Sequence, residues 1–408
     1  MSLLLTNDSP SLITLSHLQP LPLVLDYSDS TRSIARKDED NIHLGLQQHG
    51  YLRRVVLQAP SSSLCMWLEP MNKRFPRLED LSLMSTTIEE MDLILPETFQ
   101  APDLRRLSLH GISLPNELSL LSSAIALLSL SLTHIKASCY FSPGHLVKQL
   151  QGLPHLEELS IGFSMPIPLP SSERELLPKP AIPAVTLPAL RRLTFRGVDA
   201  YLENLVAQID TPLLERLNLT FFFDLTFILV NLTKFIHRTE GFGSLVARVV
   251  FNKDGASIDT GHHEQWDIGR LSLRVNCEPL DWQIDSATQV GIALGSVVSA
   301  VEELTLDLDV GGMAEDWENT LDSLVWHELL LPFIGVKKLR VGSLLTFELS
   351  QAMESAVGGL VFELLPELRE LEVQLEVNHA NEAFSGFVET RESVGRPIHL
   401  LASGAPSS

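Results

Sequence analysis

Leu187-Pro188-Ala189-Leu190-Arg191-Arg192-Leu193-Thr194-Phe195 is the stretch on which the fold turns, because the chain keeps rewriting it. It stands earlier as Phe75-Pro76-Arg77-Leu78-Glu79-Asp80-Leu81-Ser82-Leu83 and as Ala101-Pro102-Asp103-Leu104-Arg105-Arg106-Leu107-Ser108-Leu109. Residues 153–161, 211–219 and 365–373 repeat it again, each with proline in second place. The shared pattern is L-x-x-L-x-L. Its last two apolar residues sit two apart, so on a strand both face one side. The proline falls ahead of the paired residues, where a missing N–H does no harm.

Taking the leading apolar residue as anchor, repeats fall at Leu52, Leu78, Leu104, Leu127, Leu156, Leu190 and Leu214. Weaker copies follow at Val246, Ile268, Val301, Val336 and Leu368. The spacing of about 22–35 residues is that of stacked supersecondary repeats. It leaves room for helices, and residues 199–209, 224–237, 285–298, 317–331 and 345–357 read as such. Asp199, Asp224 and Asp285 stand where N-caps are expected. The expected fold is α/β: an irregular leucine-rich-repeat solenoid, or horseshoe, with a parallel inner sheet and outer helices. One solenoid is expected over residues 21–401, between a disordered segment 1–20 and a disordered tail 402–408.

Two stretches break the rhythm. Residues 164–188 hold seven prolines around Glu173-Arg174-Glu175, too many for regular structure. They read as a surface insertion or as a docking loop. Residues 252–267 are polar and read as a hairpin or a loop, while residues 383–391 and 397–401 read as a last helix and a closing strand.

The formal charge of −21 sets a long-range field that repels nucleic acid and anionic lipid, so neither is an expected partner. Cys65, Cys139 and Cys277 are far apart and odd in number, which argues against a disulfide frame or a zinc site. The first residues lack a cationic n-region, and the longest apolar run, 221–230, is interrupted by Asp224. The expected location is intracellular, cytoplasmic or nuclear.

Chemistry-bearing motifs are scarce. His262-His263-Glu264 is adjacent in sequence and does not converge as metal ligands do. His327-Glu328 lacks the second histidine of a zinc protease motif, and Gly311-Gly312 and Gly358-Gly359 read as element ends. Asp307 and Asp309 share one strand face without an acid–base partner. No enzyme, cofactor or metal is expected.

The residues between the apolar positions point outward from the inner sheet. On the repeats at Leu190, Leu214, Val246 and Ile268 they include Arg192, Arg196, Arg216, Arg248, Arg270 and Arg274 and no acid. On four adjacent strands these charges would share a strip about 15 Å wide. Arginine forks match carboxylates and phosphates, so the expected partner is a protein with an acidic or phosphorylated segment. The bland alternative is that these arginines pair with acids of flanking loops.

As a set, several lines resemble fungal F-box/leucine-rich-repeat proteins. They are Pro22-Leu23-Val24-Leu25-Asp26-Tyr27, Val55-Val56-Leu57 after Arg53-Arg54, the P-x-L-x-x-L-x-L lines, and residues 384–401 with Gly395-Arg396-Pro397. The resemblance covers the chain from about residue 20 onward. It implies a substrate-recognition role in a ubiquitin ligase, with an N-terminal F-box docking on the ligase adaptor. Residues 1–20 lack that helical module. The expectation is therefore either a fragment or an F-box-less regulatory or decoy module, with an adaptor as partner only if an F-box lies upstream.

Overall fold

The computed structural model describes residues 3–5, 22–28, 36–87, 91–115, 119–166, 185–224, 226–239, 242, 246–261, 270–309, 323–355, 364–374 and 377–402. The chain forms two compact units, Met1–Leu214 and Glu215–Ser408.

In the first unit the strands are β1 (Leu3–Leu5), β2 (Leu23–Ser28), β3 (Leu52–Ala59), β4 (Asp80–Ser85), β5 (Leu93–Ile94) and β6 (Arg106–His110). They continue as β7 (Ile112–Ser113), β8 (Ser129–Ile135), β9 (Glu158–Phe163), β10 (Val185–Thr186), β11 (Arg192–Gly197) and β12 (Ile209–Asp210). One parallel sheet runs β1-β2-β3-β4-β6-β8-β9-β11. The short strands pair by themselves, β5 with β7 and β10 with β12. Every line of the repeated pattern becomes a strand whose leucines are buried and whose intervening residues are not, as on β4, β6 and β11.

Helices cover the apolar side. Tyr27 of β2 meets Trp67 of the helix Ser61–Leu68 edge-on at 5.7 Å. Phe163 and Phe195 meet Tyr201 of the helix Asp199–Val206 at 4.9 and 5.7 Å. Burying each such ring or leucine contributes about 1.5–3 kcal/mol. Leu3–Leu5 is a strand paired with Leu23–Leu25, so part of the segment expected to be disordered joins the sheet.

The second unit contains β13 (Arg216–Phe222), β14 (Val246–Asn252), β15 (Gly255–Gly261), β16 (Leu271–Asn276), β17 (Glu303–Asp309), β18 (Lys338–Val341), β19 (Glu370–Val373) and β20 (His399–Ala402). Its order is β13-β16-β15-β14-β17-β18-β19-β20. All neighbours are parallel except β15, which runs antiparallel to both β14 and β16. Residues 252–261 therefore make the turn and second strand of a hairpin; residues 262–269 lie outside the described part. The fold is mixed α/β with a large, mostly parallel sheet system.

Helix starts depart from the cap expectations. Asp199 is the first residue inside its helix, and its Oδ1 accepts the Ala200 N–H at 2.7 Å. Asp224 lies ahead of the helix Val230–Arg238. Asp285 falls within the helix Leu280–Ala293, which opens after Pro279, where a fixed φ favours an earlier start. Of residues 317–331 the described helix is Ser323–Leu330, and residues 345–357 yield Thr346–Ser355. At the end, the helix Val377–Ser393 precedes β20. Arg391 is 1% exposed and anchors this helix by donating to the carbonyl oxygens of Pro366 and Leu368 at 3.4 and 3.1 Å.

Candidate functional site: the polar faces of the two units

The alternation that buries the leucines sends every second side chain to the opposite face, and strand register arranges these side chains in rows. In the first unit the lowest row reads Arg54, Asp80, Arg106, Ser129, Glu158, Arg192. Arg106 Nη2 reaches Asp80 Oδ2 at 3.1 Å, with Arg54 Nε at 3.6 Å on the other side. Glu158 accepts from Ser129 Oγ at 3.2 Å and forms an ion pair with Arg192. Opposite charges on adjacent strands thus neutralise one another across the sheet.

The middle row is Ser82, Ser108, Ser131, Ser160 and Thr194, one hydroxyl per strand from β4 to β11. Hydroxyls both donate and accept, so this ladder can meet either polarity of a docked backbone.

Above it, register carries Met84 to His110 and His110 to Thr133. Here β8 bulges: Leu132 pairs Ile161 and Ile135 pairs Phe163, so Thr133 and His134 together oppose Gly162. His134 has φ 54, in the left-handed region where histidine is one of the more tolerated non-glycine residues. The bulge turns its ring onto that of His110, with centroids 4.2 Å apart, while His110 Nδ1 lies 3.0 Å from Thr133 Oγ1. Across Gly162 the register brings Arg196. Burial, and then the charge of His134, lowers the pKa of His110. Burial, and then Arg196, lowers that of His134.

In the second unit, Arg216 and Arg270 stand one residue ahead of the paired Leu217 and Leu271. Arg248 pairs with Asp307 at 2.6 Å, and Arg274 Nη2 donates to Asn252 Oδ1 at 3.2 Å beside Asp254 Oδ2 at 3.4 Å. Farther along, Arg340 and Lys338 reach Glu372 at 2.9 and 3.1 Å, and Lys338 also reaches Glu370 at 3.3 Å. Burial works against charge at Glu372, but hydrogen bonds from Lys338 and Arg340 outweigh it and hold its carboxyl below the ordinary value.

Of the six arginines expected to form one strip, Arg216, Arg270 and Arg274 lie on the paired strands β13 and β16 or at their start. Arg192 and Arg196 belong to the first unit and the other four to the second. Arg248 is not on the strand beside β13, because β16 and β15 intervene and bring Asp259 opposite Arg248. Arg192, Arg248 and Arg274 each have a carboxylate partner from another segment. Sequence reading missed Glu158 and Asp254 as these partners because they come from other repeats or turns. It also missed His110 and His134. The available signal was Leu130, Leu132, Ile135: the apolar step there is three residues instead of two.

Among the described residues no cluster of three metal-ligating side chains occurs, and no helix is long and apolar enough to cross a membrane. His262-His263-Glu264, Gly311-Gly312, Gly358-Gly359 and the centre of the proline-rich stretch lie outside the described residues. His327 is buried in the helix Ser323–Leu330, and Asp307 is taken up by Arg248. Compared with protein-family models and with curated proteins, the chain matches none.

Proposed function

We propose that this protein is a non-catalytic protein-binding scaffold of leucine-rich-repeat type, akin to the substrate-recognition repeats of an F-box ubiquitin-ligase receptor. The observation that carries the reading is the first unit's polar face: a run of five hydroxyls in register, bordered by charged and imidazole rows. An array of donors and acceptors set in register along parallel strands suits recognition of an extended segment. The repeated L-x-x-L-x-L lines support the repeat reading, since each supplies one parallel strand.

The test is capture of a partner by the purified full chain compared with the triple variant Ser108→Glu, Ser131→Glu, Ser160→Glu. Binding weakened at least tenfold with unchanged thermal unfolding is the expected result. Wild-type affinity in the variant sinks the assignment of this face as the docking surface. Ligase adaptor in the captured complex favours the receptor role; a partner held without adaptor favours a decoy or regulatory module.

A further inference from the structure

We propose that the second unit carries a docking surface for a basic peptide segment, built from the stacked rings of Phe223 and Trp282 and the carboxylates around them, with an arginine or lysine of the partner seated on the outer face of the indole. This surface lies apart from the hydroxyl face of the first unit and does not rest on that reading.

The rings meet where two strand ends and a helix start converge. Phe222, the last residue of β13, is in register with Asn276, the last of β16. Phe223 follows the one, and Trp282 lies in the first turn of the helix Leu280–Ala293 that follows the other. Their centroids are 4.8 Å apart and their planes 13° from parallel. Trp282 is nevertheless 48% exposed. Phe223 covers one face of the indole, so that exposure falls on the other face and the ring edge. The stack holds the side chain in place, and a ring already ordered loses little further entropy on binding. Tryptophan is among the residues that dominate interface energetics, and the face of its indole is the strongest aromatic seat for a cation. Among the described residues no cation of the chain takes that seat: Arg77 lies over Tyr51 and Arg238 over Phe235.

Charge decides what fits there. Asp285 stands three residues after Trp282 and four after Asp281 on one helix, so the three side chains share its exposed side. Asp224 adjoins Phe223, and Glu278 immediately precedes the helix cap Pro279. All four carboxylates are exposed. Asp285 accepts from Gln289 Nε2 at 3.1 Å, a neutral donor that leaves its charge in place. Glu278 and Asp281 form no ion pair among the described residues. The bases near this end of the strands are Lys253, in the turn after β14, and Arg274, whose Nη2 is taken up by Asn252 and Asp254. Carboxylates therefore prevail around the indole, and the net charge of −21 adds a long-range attraction for cations. A neutral apolar segment would cover the ring but desolvate these carboxylates without partnering them, which works against binding. An arginine does both, because its guanidinium stacks on an aromatic face while its N–H groups reach carboxylates.

The test uses the full chain carrying 5-fluorotryptophan, titrated with octa-arginine and with octa-proline in about 0.15 M salt, where surface charges more than a Debye length away are screened. Trp282→Leu assigns the Trp282 fluorine resonance among the chain's five tryptophans. Octa-arginine is expected to shift that resonance before the other four, and octa-proline to leave it unmoved. Trp282→Leu keeps an apolar side chain without the aromatic face and is expected to weaken octa-arginine binding about fivefold by calorimetry. The triple variant Glu278→Gln, Asp281→Asn, Asp285→Asn is expected to weaken it by about tenfold or more. A charge-matched control in the first unit, Asp40→Asn, Glu69→Gln, Asp103→Asn, should bind as wild type does. Unchanged affinity in Trp282→Leu, or equal losses in the two triple variants, overturns the proposal, the latter by assigning the binding to bulk charge. Octa-proline moving the Trp282 resonance while octa-arginine does not also overturns it, in favour of an apolar partner. Should Trp282→Leu fail to fold by thermal unfolding, the two triple variants, which alter only exposed carboxylates, decide by themselves.

Discussion

Gln283 offers the sharpest test of how the second unit holds its hairpin. Its side chain is fully buried at 0% exposure, and Nε2 lies 2.8 Å from the Asn252 carbonyl oxygen, 3.1 Å from that of Cys277 and 3.0 Å from that of Glu278. One amide thus ties the end of β14 to the start of the helix Leu280–Ala293. Gln283→Met keeps the volume and removes the donors. Leaving a buried acceptor unpaired costs about 1–3 kcal/mol. Only the Cys277 bond is wholly buried, so water can reach the other two carbonyls. Removing Gln283 Oε1, which has no hydrogen-bond partner among the described residues, returns part of the loss. The net is about 1–2 kcal/mol, or a fall of about 0.5 M in the urea midpoint. Fluorescence of the adjacent Trp282 reports the transition. Gln283→Glu adds a sign test. A buried carboxyl facing carbonyls has its folded pKa raised above the unfolded value of about 4.3, so the variant loses further stability as pH rises from that value. A Met variant within about 0.5 kcal/mol of wild type, or a Glu variant with no pH dependence beyond wild type, refutes the tie.

Gly255 has φ 149, and a Cβ there would lie 2.9 Å from the Val275 carbonyl carbon and closer still to its oxygen. Gly255→Ala is expected to lower stability by more than about 2 kcal/mol by chemical denaturation, with β15 pushed off β16; a neutral result contradicts the close approach. The lowered pKa values of His110 and His134 predict that the unfolded chain takes up protons first. Stability from the neutral imidazoles is complete above the unfolded value of about 6.5 and declines as pH falls below it. The double variant His110→Gln, His134→Asn should flatten the difference in unfolding midpoint between pH 7 and 5; parallel profiles would exclude the effect.

Much of the first unit was legible because its repeats obey one local rule. Leu81, Leu83, Leu107 and Leu109 are buried in register as their spacing demands. The hairpin was not legible beyond a choice of hairpin or loop. Gly255-Ala256-Ser257-Ile258-Asp259-Thr260-Gly261 buries only small or single apolar side chains and has no leucine to announce a strand. The arginines were placed on the outward face, but their neighbours follow from strand order, which a local pattern does not contain. Asp259 stands opposite Arg248 only because β15 runs backwards. The imidazole pair was missed for a related reason: a bulge redirects a side chain by one residue, and period-two reading assigns His134 to the wrong side.

The reversed strand also bears on how the chain reaches its fold. In the first unit, side chains bridging neighbouring strands, such as Arg106 and Asp80, are 26 residues apart in sequence, and each parallel pairing waits on closure of a loop of that order. Across β14 and β17 the separation is 59, yet doubling a loop adds only about 0.6 kcal/mol of closure entropy. Meanwhile β14 and β15 are joined by a tight turn and can zip within about 1–10 μs. The second unit thus owns a local seed offering two edges for growth, one to β16 and one to β17. Among the described residues of the first unit the strands pair in parallel with no such hairpin seed, so their order comes from non-local encounters.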